Sequence, residues 1–181
     1  YKKFRFQKWD SELGGDLCAA ASIRLRGKSY VAFLNGDAMG KSMQGAGGVL
    51  VLGTAFKTIV TRTQQTEALA DKYPEIWLKE SLVDLQKIFV SFDGSMLVSC
   101  VIGLLDENSG FVYFLNAEHP QVVLYREKKA SFIPGQRQLL KIGVPEIEGG
   151  LYINTCQLHK EDVLILGSDG RDDILLGEDA Q

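Results

Sequence analysis

Polar and apolar positions alternate along the first part of the chain. Residues 3–9 alternate and predict an opening strand. Residues 16–26 (DLCAAASIRLR) alternate strictly. Leu17, Ala19, Ala21, Ile23 and Leu25 fall on one face, and Cys18, Ala20, Ser22 and Arg24 on the other. Residues 29–35 (SYVAFLN) are apolar on both faces, and Gly27-Lys28 between the two runs predicts a two-residue hairpin turn. From 41 to 62 the period changes. Ala46, Val49, Leu50, Gly53, Phe56, Ile59 and Val60 recur every three or four residues, as in an amphipathic helix. Its first half is rich in Gly and Ala, which lowers helix propensity but lets a helix lie close to a sheet. Residues 63–75 are polar and contain Pro74, so a loop is expected there. A second helix is predicted over 76–90, with Ile76, Leu78, Leu82, Leu85, Ile88 and Phe89 inward. Strands then return. Residues 95–105 and 111–115 flank a loop at 106–110, and 121–126 and 130–133 flank Glu127-Lys128-Lys129. Residues 151–156 and 162–167 close the series.

Strands, then two helices, then many strands do not make alternating βαβ units, so a largely antiparallel α+β fold is expected. Strands apolar on both faces imply two stacked sheets, with helices covering an outer face. The 181 residues suit one domain, taken as 1–181, with a core of its own. A net charge of −3 does not advertise a nucleic-acid surface. No apolar run approaches the roughly 20 residues that span a bilayer. The opening YKKFRFQKW is not a secretory signal. Cys18, Cys100 and Cys156 each sit in an apolar run without a CxxC pair. They read as buried, reduced thiols of a cytoplasmic protein, and a zinc site is not expected.

Three aspartates stand beside glycine at strand ends. Asp16 follows Gly14-Gly15, Asp37 lies in Gly-Asp-Ala-Met-Gly, and Asp169 lies in Gly-Ser-Asp-Gly. Asp beside Gly commonly makes turns. The hairpin argues for more. With Gly27 and Lys28 as the turn, Arg26 faces Ser29 and Cys18 faces Asp37. Asp16 and Asp37 then share a face as diagonal neighbours about 7–8 Å apart. Two carboxylates so placed can approach a common cation, or flank two cations about 3.5–4 Å apart. Without a cation they repel, and one tends to stay protonated. Oxygen-only ligands select Mg²⁺ or Mn²⁺ over zinc, and the Ala38 carbonyl is a further candidate oxygen.

The ordered set Gly14-Gly15-Asp16, Gly36-Asp37-Ala38-Met39-Gly40-Lys41, Asn116-Ala117-Glu118-His119-Pro120, Leu140-Lys141-Ile142-Gly143 and Ser168-Asp169-Gly170 resembles the metal-dependent type 2C serine/threonine phosphatases. The resemblance is to the bacterial SpoIIE/RsbU branch and runs over almost the whole chain. It implies a four-layer α-β-β-α sandwich with two antiparallel sheets. It also implies two Mn²⁺ or Mg²⁺ ions at a sheet edge and hydrolysis of phosphoserine or phosphothreonine by a metal-activated water. Asp37 matches the acid that bridges both metals, Asp16 and the Ala38 carbonyl match ligands of one, and Asp169 matches the acid on the other. Asp16, Asp37 and Asp169 are thus the expected catalytic set, acting through that water. The family's last Asp-Asp-x-Thr-type stretch has no counterpart here, since Asp172, Asp173, Glu178 and Asp179 follow Asp169 too closely, and the family's opening helix is missing too. A fragment truncated at both ends, from a longer multidomain protein, is therefore expected. The implied partners are a phosphorylated protein, such as an anti-sigma-factor antagonist, and a sensory or regulatory domain on the same full-length chain. A homodimer is compatible with the resemblance, and the full-length protein could be membrane-tethered.

Other residues are read more plainly. His119 is taken as a turn residue, with a general acid as the alternative. His159 and the group Arg24, Arg26 and Lys28 are taken as solvated. Gly45-Ala46-Gly47-Gly48 lacks a phosphate-loop arrangement and suits close helix packing. Lys41 and Ser42, at the predicted helix start, could attract an anion. The competing function is a phosphatase-like binding module without turnover.

Overall fold

The computed structural model describes residues 2–6, 9–40, 43–136, 141–145 and 150–170. The chain opens with a hairpin of β1 (Lys2–Phe6) and β2 (Trp9–Leu13), where a single strand was expected. β3 (Asp16–Leu25) and β4 (Lys28–Ala38) follow as a long antiparallel pair. Three helices come next: α1 (Met43–Gln65), the single turn α2 (Glu67–Ala70) and α3 (Pro74–Val90). The remaining strands are β5 (Val98–Asp106), β6 (Phe111–Ala117), β7 (Val123–Arg126), β8 (Lys129–Phe132), β9 (Asn154–Gln157) and β10 (Val163–Ile165).

Strands β3-β4-β5-β6-β9 form one sheet and β10-β7-β8 another, with every pairing antiparallel. Each face of the larger sheet carries its own apolar cluster. Leu34, Ile102 and Leu104 pack with Leu52, Phe56, Leu85 and Phe89 of the helices. On the opposite face Phe33, Val101 and Phe114 pack with Leu124 and Leu164 of the smaller sheet and with Ile133, which follows β8. The described residues thus build three layers of the expected sandwich: helices, large sheet, small sheet. The fourth, helical layer is not found among them.

The β3–β4 register differs from the expected one. The turn is Arg26-Gly27, both at positive φ (50° and 78°), and Leu25 pairs with Lys28. A two-residue turn with positive φ at both positions is type I′, which favours glycine second. Arg26 is also held from outside. Its N–H donates to Ala70 O at 2.7 Å, and its guanidinium lies 4.2 Å from the centre of the Tyr73 ring. The pairing moves by two residues, so every side chain keeps its face.

The helices differ in extent and phase. Residues 63–65 continue α1, and Pro74 opens α3, where its missing N–H and fixed φ cost nothing. Leu50 is exposed while Leu52 is fully buried. In α3, Trp77 and Leu78 are buried, whereas Ile76 and Ile88 are exposed. Leu50 and Ile88 instead rim an outward groove of about 650 Å³ between α1 and α3. The Trp77 indole N–H donates to Thr63 Oγ1 at 2.8 Å, which turns the indole inward. The cysteines also divide. Only Cys100 is buried. Cys18 is exposed, because it lies on the face of β3 that points away from the helices, and Cys156 is intermediate.

Candidate functional site

The acidic end of the β3–β4 hairpin forms the candidate site. The two-residue shift in register brings Asp16 directly opposite Asp37, closer than the diagonal placement expected. Directly opposed Cβ atoms are about 4.5–5.5 Å apart. On its other side Asp37 pairs with Ser99 of β5, so Asp16, Asp37 and Ser99 form one row across three strands. Directly opposed residues share a face, here the one that turns toward the smaller sheet. Ala38 N donates to Gly15 O (2.8 Å) and Met39 N to Leu97 O (2.8 Å), closing the backbone at this end.

Asp169 follows β10 of the smaller sheet and joins the site through its field. Burial first, then the charges of Asp16 and Asp169, push the Asp37 carboxyl above its ordinary value, while Lys141 pulls it down. Asp37 therefore feels the charges of both other acids predicted from the sequence. The three acids are not drawn into a tight cage: among the described residues, no three His, Cys, Asp or Glu side chains are grouped so as to hold a metal.

Glycines shape the floor. A Cβ on Gly15 would lie 2.8 Å from Ala38 O and 3.6 Å from Asp37 Oδ1. A Cβ on Gly45, in the first turn of α1, would lie 2.7 Å from Gly40 O and 3.2 Å from Ala38 O. A Cβ would overlap a backbone oxygen at either position, Ala38 O at Gly15 and Gly40 O at Gly45, so glycine on both sides preserves the surroundings of the Ala38 carbonyl. The donor set of carboxylates and a carbonyl, with Asp37 raised by burial and then by its acidic neighbours, fits a hard divalent cation. Such a cation would relieve the repulsion among the acids and use the oxygens that the glycines leave uncovered. Lys41 and Ser42, considered above as anion contacts, lie outside the described residues.

Beneath the acid row lies His119, read from the sequence as a turn residue with a general acid as the alternative. His119 is 1% exposed. Its Nε2 lies 2.7 Å from Asn35 Oδ1 and its Nδ1 2.9 Å from Ser99 Oγ. Asn35 directs its amide nitrogen to Leu17 O at 3.4 Å, leaving Oδ1 to accept from Nε2–H. In the neutral ring, Nδ1 then accepts from the Ser99 hydroxyl. The His119 N–H donates to Asn116 Oδ1 at 2.8 Å. His119 is thus a turn residue as expected, and also a buried strut joining β4, β5 and the turn after β6. Asn35 and Ser99 were not singled out from sequence. The signal available was their parity with Asp37 on adjacent strands. His159 is exposed, as expected, and its backbone N–H donates to Asp162 Oδ2 at 2.7 Å.

Comparison with known proteins gives a consistent picture. The family model for stage II sporulation protein E (SpoIIE) matches residues 27–181, which takes in Asp37, Ala38 and Asp169 and begins after Asp16. No curated protein sequence matches the chain. Among solved structures, the RsbU and RsbW domains of Rv1364c from Mycobacterium tuberculosis align with a TM-score of 0.66 at 20% identity, covering 88% of this chain and 40% of that one. The PP2C phosphatase domain with a fragment of the regulatory domain of SpoIIE from Bacillus subtilis aligns at 0.64 and 17%, covering 88% and 41%. The S. agalactiae serine/threonine phosphatase aligns at 0.69 and 12%, covering 96% and 80%. These likenesses show the fold, and the chain spans about two fifths of the first two structures. No helix among the described residues is long and apolar enough to cross a membrane.

Proposed function

The chain belongs to the SpoIIE family, and we propose that it is the catalytic domain of a metal-dependent phosphatase acting on phosphoserine or phosphothreonine in a protein. The observation that carries this reading is the direct opposition of Asp16 and Asp37, with Asp169 in the same field. Asp16, Asp37, Asp169 and the Ala38 carbonyl would hold Mn²⁺ or Mg²⁺, two ions by the family resemblance. Bound there, the cations supply Lewis-acid neutralisation of phosphoryl charge and a water of lowered pKa.

The chain's own residues supply position. Two antiparallel pairings fix Asp37 between β3 and β5. The Ser99–His119–Asn35 strut holds β4 and β5 together just below it. Such preorganisation is the usual protein contribution to phosphoryl transfer, where little covalent chemistry falls to side chains. For the substrate we propose a phosphorylated regulatory protein of the anti-sigma-factor antagonist kind, with a regulatory domain controlling turnover. The presence of RsbU, RsbW and SpoIIE regulatory segments in the similar structures supports this.

The open arrangement of the three acids favours one alternative, a phosphatase-like module that binds without turnover. Hydrolysis of p-nitrophenyl phosphate by the folded protein, with and without Mn²⁺, separates the two. Mn²⁺-dependent turnover that Asp37→Asn abolishes supports the phosphatase; a folded, Mn²⁺-saturated protein without turnover rejects it.

A further inference from the structure

We propose that Lys141 binds the phosphate group of the substrate and that Glu118 holds its ammonium until phosphate arrives, an inference that rests on the phosphatase reading above. Beyond the end of β6, residues 141–142 take over the pairing position beside β5. Val98 N donates to Ile142 O (3.0 Å) and Ile142 N to Val98 O (2.8 Å), an antiparallel bridge. One step along that bridge, Lys141 stands level with Ser99 and extends the row Asp16, Asp37, Ser99 to a fourth position. The row therefore runs from a carboxylate pair at one end to an ammonium at the other.

The backbone just after the lysine is held by α3. Gly143 N donates to Gln86 Oε1 of α3 at 2.8 Å, and Gln86 Nε2 donates to Val144 O. Lys141 Nζ lies 3.6 Å from Glu118 Oε1, with both side chains partly open to solvent. Glu118 sits at φ 49°, a left-handed conformation uncommon outside glycine. The turn that imposes it is pinned by Asn116 and by the buried His119. A strained, anchored glutamate facing an anchored lysine is more than two surface charges meeting by chance. A solvent-reachable ion pair is worth little, so exchanging Glu118 for a dianionic phosphate is inexpensive. Three aspartates alone would repel a phosphomonoester; an ammonium at the open end of the row gives one phosphoryl oxygen a charged partner.

The rival role for Lys141 is simple neutralisation of the acids. Isothermal titration of inorganic phosphate into the Mn²⁺-loaded protein separates the two, alongside KM and kcat for p-nitrophenyl phosphate. For Lys141→Gln we expect phosphate affinity to fall and KM to rise about tenfold, the loss of one charge-assisted hydrogen bond, with kcat changed less. Lys141→Arg should restore affinity, and Glu118→Gln should tighten phosphate binding. A folded Lys141→Gln protein that binds phosphate as the wild type does, with altered Mn²⁺ affinity alone, overturns the proposal and leaves the phosphatase reading standing. A Mn²⁺-loaded wild type that neither binds phosphate nor hydrolyses the ester overturns both.

Discussion

Replacing His119 by alanine tests the strut beneath the acid row. The ring is almost wholly buried, and each nitrogen has a partner: Asn35 Oδ1 at 2.7 Å and Ser99 Oγ at 2.9 Å. Alanine keeps the backbone bond to Asn116 but strands the Ser99 hydroxyl, which is itself buried, and the less buried Asn35 carbonyl oxygen. A stranded buried polar group costs about 1–3 kcal/mol. Water can reach Asn35 more easily than Ser99, so the two together come to about 2–4 kcal/mol. The vacated volume adds a cavity cost of about 1 kcal/mol even after partial collapse. The expected total is about 3–5 kcal/mol, or a fall in Tm of roughly 6–20 °C for a chain of this size. Urea and thermal unfolding followed by circular dichroism measure it on wild type, His119→Ala and His119→Gln. The glutamine can reach Asn35 and should recover part of the loss. A penalty below about 1 kcal/mol for alanine would refute the strut, since neither ring bond could then carry its usual value.

Three further outcomes are expected. Asp37 is raised in the folded protein, so its ionisation costs stability as pH climbs from the ordinary carboxylate range through the raised value. Asp37→Asn should therefore be at least as stable as the metal-free wild type at neutral pH and gain less from added Mn²⁺, read as the shift in Tm. Asp162 is the opposite case. Hydrogen bonds from Arg126 and then from the His159 backbone hold it at about 2. Its contribution is complete above the ordinary carboxylate value and is lost as pH falls toward 2, so Asp162→Asn should flatten the acid side of a urea-midpoint-versus-pH curve. With a thiol-reactive dye, Cys18 should label at once and Cys100 only on unfolding, because burial pushes the Cys100 thiol up to about 12. Rapid labelling of Cys100 in the folded protein would contradict its place in the core.

The β3–β4 hairpin shows how far the sequence could be read. Alternation in 16–26 correctly separated the core face from the other, because a period of two is a local property. The turn was placed one residue late. Gly27 invites either position, and what selects Arg26-Gly27 is Ala70 and Tyr73, some 45 residues away in the chain. The error left the conclusion standing, since a shift of two preserves the face and improves the opposition of Asp16 and Asp37. Helix phase failed for a similar reason. Ile76 is as apolar as Leu78, and the phase of α3 is set by tertiary contacts, among them the hydrogen bond from Trp77 to Thr63 of α1. His119 was legible as a turn residue; its ring partners lie 84 and 20 positions away and leave no local trace. The acids could be found because each stands at a strand end beside glycine, a pattern carried by neighbouring residues.

Among the described residues, β3 is the outermost strand of the large sheet. A strand with a free side is a template on which another chain can polymerise, and proteins usually blunt it with charge or cover. Here the blunting is divided. Toward the hairpin turn, Gln64 of α1 donates to Ser22 O at 2.8 Å, and Arg24 stands exposed beside it. At the other end the guard is Asp16 with Asp37 behind it, so an incoming strand would meet like charges. The carboxylates proposed for chemistry thus also place negative charge at this edge, where an incoming strand would have to pair. A substitution that neutralises Asp16 would remove that charge together with a proposed metal ligand, and loss of turnover in such a variant should be judged only after its solubility has been measured.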